Sequence, residues 1–316
     1  MTALLSRSPA TTTEDRMRRW DTAHRIAQLD PERDHVEIYR LSTGFEFPWD
    51  YRRALELALL RTFAIPSIAS LLVATREFER FTQRRYDDTA ILMGELAAHG
   101  YDSERGRTAL RRINKALGPY LIANEDMLYV LSTFVLDPVR WIDRYGWRRL
   151  LPQERVAAYC FYRELGRRMN LRDIPESYAE LERFSRDYGR TIQATPESRA
   201  LADHVLGLVA TWFPRPVRGL ARRVTPATFD AELLRGLGLP APPRWQRAGA
   251  DGALRLRAAV VRRLPPRRVA SFDDGSVRFR SYPGYPDGYD LGAIGAPEPP
   301  ADLDAGRRAR DVRPSG

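Results

Sequence analysis

The chain has 316 residues, of which 43% are apolar and 10% aromatic, and a formal net charge of +10. This composition is sufficient for a large buried core and excludes a wholly disordered protein. The single cysteine, Cys160, excludes a disulfide framework and any cysteine-based zinc site, and the four histidines lie far apart in sequence. We therefore expect no metal centre built from these residues.

The start of the chain lacks the apolar core of a signal peptide. The least polar later run, FAIPSIASLLVA, is too short and too interrupted to span a bilayer. We therefore predict a cytoplasmic protein. Lys115 is the only lysine among 51 basic residues, which is typical of the codon bias of a GC-rich, bacterial genome.

Helical periodicity predominates from Tyr51 to about Val224, without a convincing run of alternating strand residues. We predict helices after Pro48 and after Pro66, the latter stretch ending at Gly100. Together the two stretches are expected to form two or three long, mostly buried helices. Later helices are expected after three further prolines, each near a first turn: Pro152, Pro175 and Pro196.

The segment DSERGRTALRRINKAL predicts a helix whose N-cap is Asp102 or Ser103. Its apolar residues recur at spacings of three and four, which places them on one buried stripe. The stripe consists of Ala109, Leu110, Ile113, Ala116 and Leu117. Leu117 is therefore expected to face inward.

Asn124 is suitably placed to cap the next helix, with Glu125 and Asp126 in its first turn, where the helix dipole favours negative charge. We expect Asp137 and Pro138 to end that helix, because the residue before a proline is disfavoured in helical conformation.

Residues 215–270 contain thirteen arginines and three acids, an excess equal to the net charge of the chain. The stretch GALRLRAAVVRRL lacks interleaved aromatic residues and any recognised nucleic-acid motif, so we do not expect nucleic-acid binding. A solvated helix face is the preferred interpretation, and peripheral contact with an anionic membrane is the alternative.

These patterns predict an all-α fold with one multi-helix, bundle-like domain over residues 28–240. An N-terminal extension, 1–27, is expected to be partly flexible. Residues 241–296 form an Arg- and Pro-rich extension with a basic helix, and 297–316 are predicted to be a disordered tail.

Five segments, taken in order, resemble the helical family of rubber (latex-clearing) oxygenases and MpaB-type oxygenases. They read LDPERDHVEIYRL, FPWDYRRALELALLRTFAIPSI, RRYDDTAIL, NEDMLYVLSTFVLDPVRWIDRYGW and GRRMNLRDIP. The resemblance covers about residues 28–240, and the later SYPGYPDGYDLG is also similar. It implies an all-α protein with one haem b that uses dioxygen to cleave double bonds of isoprenoid chains, and hence a hydrophobic, terpenoid-like substrate.

The family carries an Arg-x-x-x-Thr element, which corresponds here to Arg85 and Thr89. At a spacing of four residues both side chains share a helix face and could act together on bound oxygen. The rubber-cleaving members have a lysine just before the threonine, whereas this chain has Asp88. The resemblance thus implies a catalytic set of Arg85, Asp88 and Thr89.

The family's proximal haem histidine lies in a stretch that reads Asn114-Lys115-Ala116-Leu117-Gly118 in this chain. Leu117 occupies the histidine position, and leucine has no lone pair to give to iron. The resemblance places Arg112, Leu117 and Asn124 at the haem site, with Arg112 a candidate partner for a propionate.

Several alternatives stay open. Arg85 and Thr89 could form only an ion pair with Asp87 or Asp88 and a helix-capping hydroxyl. His99 could replace the missing iron ligand, although a surface histidine at a helix end is the simpler interpretation.

A different class of function is also open. DDTAILMGE and NEDMLYVLST resemble the acidic, magnesium-binding motifs of class I terpene cyclases. A haem-free cyclase or isomerase would use Mg²⁺ on Asp87, Asp88 and Glu95. A third possibility is a non-catalytic protein that binds a lipid in the family pocket.

Overall fold

The computed structural model describes residues 18–272 and 282–295. Within these ranges it contains thirteen α-helices and no strand, which confirms the predicted all-α class. The helices are α1 Asp21–Gln28, α2 His35–Leu41, α3 Pro48–Thr62, α4 Pro66–Thr75, α5 Glu77–His99, α6 Glu104–Leu117, α7 Asn124–Tyr145, α8 Pro152–Arg168, α9 Tyr178–Thr191, α10 Pro196–Thr211, α11 Arg218–Val224, α12 Ala231–Gly236 and α13 Arg244–Arg263.

The long helix α7 lies at the centre and packs along α3. One end of α7 contributes Val135 and Ile142 to a large core shared with α2, α5 and α8. Its other end contributes Tyr129 to a second core with Phe63 and Leu206. Two apolar cores therefore meet on the α3–α7 pair, and this pair fixes the position of the helices around it.

The prediction that Asp137 and Pro138 end a helix is wrong, because α7 continues through Pro138 to Tyr145. An internal proline costs about 3 kcal/mol through its missing N–H and its steric clash. Burial of Trp141 and Ile142 beyond the proline offsets that cost. The side chain of Asp137 forms an ion pair with Arg61 at 3.0 Å.

The stretch predicted between Pro66 and Gly100 is divided at Arg76, which adopts a left-handed conformation with φ of 53°. Helix α5 then ends at His99, before Gly100, as predicted. The next helix, α6, is capped by the Ser103 hydroxyl, which accepts a hydrogen bond from Gly106 N. A Cβ atom on Gly106 would lie 1.8 Å from the Gly100 carbonyl oxygen, so this glycine permits the tight α5–α6 approach.

The described C-terminal residues pack on the helical body. Helix α13 lies against the core through Leu254 and Val261. Residues 282–295, which we call the strap, run along α5 and bury Ile294. At the other end of the chain, α1 buries Ile26. The predicted disordered tail at 297–316 lies outside the described residues.

Candidate functional site

The three residues assigned to catalysis, Arg85, Asp88 and Thr89, line one apolar cavity of about 260 Å³. All three lie on α5, and the same face continues to Leu92 and Met93. Spacings of three and four residues bring these side chains together on a helix. The three residues that the resemblance implies therefore form part of one wall of the cavity, and their catalytic role stays a prediction.

The remaining walls of this apolar cavity come from α3, α4, α6, α7 and α8. Their side chains are almost all aliphatic, aromatic or thioether groups, including Phe63, Ile68, Leu72, Ile113, Leu117, Met127, Leu131, Phe134, Leu165 and Met169. Sequence reasoning had not assigned most of these residues to the site, because an apolar side chain facing a cavity has the same periodicity as one facing the core.

Arg85 forms an ion pair with Asp88, with 3.0 Å between Nη1 and Oδ2. Asp88 also accepts a hydrogen bond from the Tyr285 hydroxyl of the strap. The Arg85 Nε atom is buried and has no hydrogen-bond partner among the described residues. The Nε atoms of Arg19, Arg53, Arg163 and Arg247 are also buried without a partner in the described ranges, so this feature does not by itself mark a site.

The Thr89 hydroxyl donates a hydrogen bond to the Arg85 carbonyl oxygen at 3.3 Å. Such a bond within one helix leaves the acceptor lone pairs of the hydroxyl free, and a rotation redirects its proton. The alternative of an ion pair and a hydroxyl bonded to its own helix is therefore present in the structure. It does not exclude a role in the cavity, because both side chains also face the empty space.

Asp87 and Glu95 point away from the apolar cavity. Asp87 accepts hydrogen bonds from Gln83 at 2.8 Å and from the Gly284 backbone N–H at 2.7 Å. Burial raises the pKa of Asp87 above its ordinary value, although these two hydrogen bonds oppose the shift. A Cβ atom on Gly284 would lie 2.8 Å from Arg84 Cα, so the strap requires glycine here.

Glu95 accepts two hydrogen bonds from Arg105, both at 2.6 Å, and one from Tyr289 at 3.1 Å. Burial opposes ionisation of Glu95, but the Arg105 bonds outweigh it and lower the pKa of this carboxyl. The strap donates hydrogen bonds to the carboxylates of Asp87, Asp88 and Glu95. No group of three metal-ligating side chains occurs among the described residues, and this does not favour the magnesium-dependent alternative.

Leu117 lines the apolar cavity next to Ile113 and Ala116, which confirms that it faces inward. Neither a histidine nor a cysteine is found among the described residues of the cavity wall. Iron ligands of other kinds are present there, namely thioethers such as Met93 and the Tyr162 phenol. The residues at this position therefore do not fit a histidine-ligated haem.

His99 does not replace the missing ligand in this arrangement. Its Nε2 atom lies 3.6 Å from Glu95, and the ring lines a second cavity beyond α5. Burial raises the pKa of the Tyr162 phenol, which also shares a hydrogen bond of 3.0 Å with Tyr39. Burial favours the neutral phenol over the phenolate that would bind iron, although the Tyr39 hydrogen bond opposes the rise in pKa.

Arg112 and Asn124, the other two residues assigned to haem binding, do not line the apolar cavity. Arg112 donates a hydrogen bond from Nε to the Ile294 carbonyl of the strap. Asn124 exchanges two hydrogen bonds of 2.9 Å with the backbone of Arg172. The prediction that Asn124 is an N-cap is wrong, because Ala123 occupies that position and Asn124 instead ties α7 to the loop after α8.

The strap is the part of the site that sequence reasoning missed. Gly295, near its end, lines the apolar cavity, while Tyr285 and Tyr289 bond to carboxylates of α5. The only signal was the tyrosine-rich segment SYPGYPDGYDLG, whose similarity to the family was noted without a structural role.

Comparison with known proteins supports the resemblance. Residues 49–263 match the family described as ER-bound oxygenase mpaB/B′/rubber oxygenase, catalytic domain. The ER-bound oxygenase mpaB′ of Penicillium brevicompactum is 28% identical over 270 residues, which cover 79% of this chain and 63% of that protein. The ER-bound oxygenase mpaB of Penicillium roqueforti is 26% identical over 235 residues, which cover 68% of this chain and 78% of that protein.

The mpaB protein of Penicillium brevicompactum is 29% identical over 218 residues, or 63% of this chain and 55% of that relative. These three relatives are fungal, and the alignment with the first spans less than two thirds of its length. The family match covers more than half of the chain and coincides with the helices that build the apolar cavity. The chain therefore belongs to the mpaB/rubber oxygenase family.

Proposed function

We propose that the chain is an oxygenase-like protein that acts on a hydrophobic isoprenoid or lipid-like substrate held in the apolar cavity. One observation carries the proposal: Arg85 and Thr89 lie together in the wall of a largely apolar space. Apolar lining with a few convergent polar groups is the usual character of a small-molecule site. Family membership supports oxygen chemistry at this position.

The proposed reaction is oxidation or cleavage of a carbon–carbon double bond by dioxygen. Cleavage leaves one oxygen atom on each of two carbonyl products, and negative charge develops on oxygen as the reaction proceeds. Arg85 would stabilise that charge and Thr89 would donate a hydrogen bond to the same oxygen. The apolar side chains around them would hold the substrate chain and exclude water. Haem would supply the activation of dioxygen, but Leu117 gives it no ligand, and we assign no step to it.

A second function is favoured by Leu117 itself. A cavity that keeps the family shape but lacks the iron ligand suits a protein that binds a lipid without changing it. Both functions require the apolar cavity, and they differ in whether a product is formed.

The two functions can be separated by incubating purified protein with geranylgeraniol or squalene under air and analysing carbonyl products by mass spectrometry. If the chain is an oxygenase, Arg85→Ala and Thr89→Ala should each reduce the rate of product formation by about 10²- to 10³-fold. Arg80→Ala, an exposed position on the same helix, should not.

Unchanged turnover in Arg85→Ala and Thr89→Ala would show that these roles are wrong. Saturable lipid binding by the wild type without any product would establish the binding function instead. A failure to bind either probe would contradict both functions.

We further propose that the protein is cytoplasmic and contacts a membrane peripherally through α13. Its outward face carries Trp245, Leu256 and Val260, which are 70%, 67% and 50% exposed. Arg255, Arg262 and Arg263 flank this apolar stripe and are also exposed. Such a helix, apolar on one side and rich in arginine, suits the interface of an anionic bilayer.

Relatives named as ER-bound oxygenases support membrane association. By itself, no helix in the described ranges is long and apolar enough to cross a membrane; α3 and α4 pass that test only as a pair bent by 90°. Cosedimentation with vesicles containing phosphatidylglycerol should decrease in Leu256→Ser/Val260→Ser and not in Leu121→Ser, whose leucine is 76% exposed elsewhere. Equal sedimentation of both variants with wild type would exclude α13 as the contact.

A further inference from the structure

A second cavity, of about 660 Å³, lies on the other side of α5. We call it the polar cavity, because guanidinium, carboxylate and hydroxyl groups form much of its wall. Its described arginines and carboxylates are Arg52, Arg53, Arg105, Glu56, Asp87 and Glu95. The family resemblance assigns no role to this space.

The end of the polar cavity beside the strap carries an excess of negative charge. Glu95 forms an ion pair with Arg105. Asp87 accepts its hydrogen bonds from neutral groups, the Gln83 amide and the backbone of the strap. Two carboxylates thus share one guanidinium, and we do not expect an anionic ligand to bind at this end.

The end formed by α3 has the opposite balance. Arg52 and Arg53 both stabilise the ionised form of Glu56, whereas neither is among the charges that act on Asp87. Two guanidinium groups therefore share one carboxylate, which leaves an excess of one positive charge. A concave wall with charge of one sign attracts a ligand of the opposite sign.

Arg53 is held in place at this end. It donates a hydrogen bond from Nη2 to Oε1 of Glu56, and the same oxygen accepts a hydrogen bond from the Tyr86 hydroxyl. The Arg53 guanidinium also lies 5.4 Å from the ring centroid of Trp212, which lines the polar cavity. A guanidinium over an aromatic face is stabilised by the negative charge of that face.

Arg52 has its donors free. It lines the polar cavity, and within residues 18–272 and 282–295 it forms neither a hydrogen bond nor an ion pair. The arginine side chain has five N–H donors in a planar group, which matches two oxygen atoms of a carboxylate or a phosphate. Arg52 is therefore the side chain best placed to bind an anionic group, with the Arg53 charge beside it.

The two cavities have a common wall. Leu59 of α3, Thr89 and Met93 of α5, and Phe134 of α7 line both of them. Thr89 is one of the groups proposed to act on the substrate. Met93 is unbranched and flexible, so a rotamer change in this wall would open a passage between the cavities.

The length of the ligand follows from α3. Arg52 and Leu59 both line the polar cavity, and Leu59 also lines the apolar cavity. At 1.5 Å per residue, their Cα atoms are separated by about 10 Å along the helix axis. A ligand held at Arg52 therefore needs a chain longer than about 10 Å to pass Leu59.

We propose that the polar cavity binds the anionic head group of an amphiphile, a phosphate or a carboxylate, through Arg52 and Arg53, while the chain passes through the common wall into the apolar cavity. This inference rests on the proposed function, because it places the chain beside the proposed catalytic residues. It narrows the substrate class to anionic amphiphiles such as prenyl phosphates and long-chain acids.

The test compares geranylgeranyl phosphate with geranylgeraniol, by equilibrium dialysis against the full-length protein. The wild type should bind the phosphate about tenfold more tightly. Arg52→Gln should remove most of this difference and leave the affinity for the alcohol unchanged, because only the phosphate loses a charge-assisted hydrogen bond. Arg80→Gln, an exposed arginine of α5 that lines neither cavity, is the matched control.

A second variant changes the affinity in the opposite direction. Glu56→Gln removes the one negative charge at this end and keeps an oxygen that accepts the Tyr86 hydrogen bond. It should strengthen phosphate binding about threefold and leave alcohol binding unchanged. Glu79→Gln, at an exposed position of α5 outside both cavities, should alter neither. Weaker or unchanged phosphate binding in Glu56→Gln would contradict the charge balance on which the site rests.

Competition with inorganic phosphate separates a head-group site from a site for the free ion. Because the free ion lacks a chain to bury, its affinity should be at least about a hundredfold lower than that of geranylgeranyl phosphate. Comparable affinities would show that the chain does not enter the apolar cavity from this site.

Equal affinities of the two amphiphiles for the wild type, or no effect of Arg52→Gln, would overturn the inference. In either case the proposed function would stand, since geranylgeraniol still binds to the apolar cavity. Absence of binding of either amphiphile to the wild type would instead contradict the proposed function together with this inference.

Discussion

Two arginines of this molecule, the buried Arg61 and the part-buried Arg85, differ in how fully they are paired. Arg61, between α3, α7 and α12, is 3% exposed and donates to Asp137 at 3.0 Å, Asp230 at 2.5 Å and Glu232 at 3.4 Å. Arg85, on the wall of the apolar cavity, forms an ion pair only with Asp88 among the described residues and leaves Nε unpartnered.

The difference separates a structural from a functional arginine. Every nitrogen of the Arg61 guanidinium has an acceptor, so this residue has nothing left to offer a ligand. Among the described residues Arg85 bonds to a carboxylate only through Nη1, and its side chain is 20% exposed and lines the cavity, so its guanidinium keeps donors for a ligand. Incomplete pairing beside an apolar space is therefore better evidence for a site than burial of a charge alone.

The largest effect on stability is expected at Arg61. Arg61→Met leaves Asp137 buried without its main partner and should lower the free energy of unfolding by about 3–5 kcal/mol, measured by chemical denaturation. Arg140→Met removes a half-exposed arginine 3.8 Å from the same carboxylate and should cost less than about 1 kcal/mol. Equal destabilisation of the two variants would show that Arg61 is not the main partner of Asp137.

Whether the apolar cavity keeps the family shape is tested by placing the family's haem-binding histidine at position 117. Leu117→His places an imidazole at the wall, and haem occupancy in protein from haem-supplemented cells should rise about 10- to 100-fold, read as Soret absorbance. Leu121→His, on the exposed surface, should bring no increase. A tightly bound, stoichiometric haem in the wild type would show that another side chain supplies the ligand. No increase in Leu117→His would mean that the cavity has lost the family shape.

A smaller effect on stability is expected at Arg85. Arg85→Met should lower the free energy of unfolding by about 1 kcal/mol, because Asp88 keeps the Tyr285 hydrogen bond after the ion pair is lost. Thermal and denaturant unfolding can be compared directly with Arg61→Met. A loss as large as that of Arg61→Met would assign Arg85 to the framework and remove the contrast between the two arginines.

The smallest expected effect is the pH dependence of the local stability of the strap. The lowered pKa of Glu95 means that its ionised form contributes stability above the ordinary value of 4.5, and this contribution is lost as pH falls through the folded pKa. Asp87, whose pKa is raised by burial, acts in the opposite direction. Arg105→Gln removes the partner of Glu95 and leaves Asp87 unchanged. Its effect on stability therefore measures the contribution of ionised Glu95.

Hydrogen exchange of residues 282–295 should show less protection in Arg105→Gln at neutral pH, by about 1 kcal/mol or less because Arg105 is 53% exposed. The difference from wild type should shrink below pH 4.5. A difference that grows on acidification would mean that Glu95 is not the group responsible.

Local rules predicted much of the fold from sequence. The all-α class, the end of α5 before Gly100, the Ser103 cap and the inward position of Leu117 follow from periodicity and terminal residues. These features depend on neighbours within a few positions along the chain. Arg85, Asp88 and Thr89 share the cavity for the same reason.

The features that failed depend on distant contacts. Helix α7 passes Pro138 because the larger core buries its far half, and Asn124 bonds to a loop 48 residues away. Arg112 bonds to the carbonyl of Ile294, which is 182 residues later, and its assignment to a haem propionate stays a prediction. No local pattern encodes such partners, and an apolar residue at a cavity wall is indistinguishable in sequence from one in solid core.

The position of the strap in chain order has a consequence for biosynthesis. Helices α3 to α8 leave the ribosome before residues 282–295, yet Gly295 is part of the wall of the apolar cavity and Gly284 and Tyr285 fasten the strap to α5. The nascent chain can therefore assemble most of the cavity while this wall is still missing. During that interval the apolar interior is more open than in the finished protein, which gives a bulky hydrophobic molecule an early opportunity to enter.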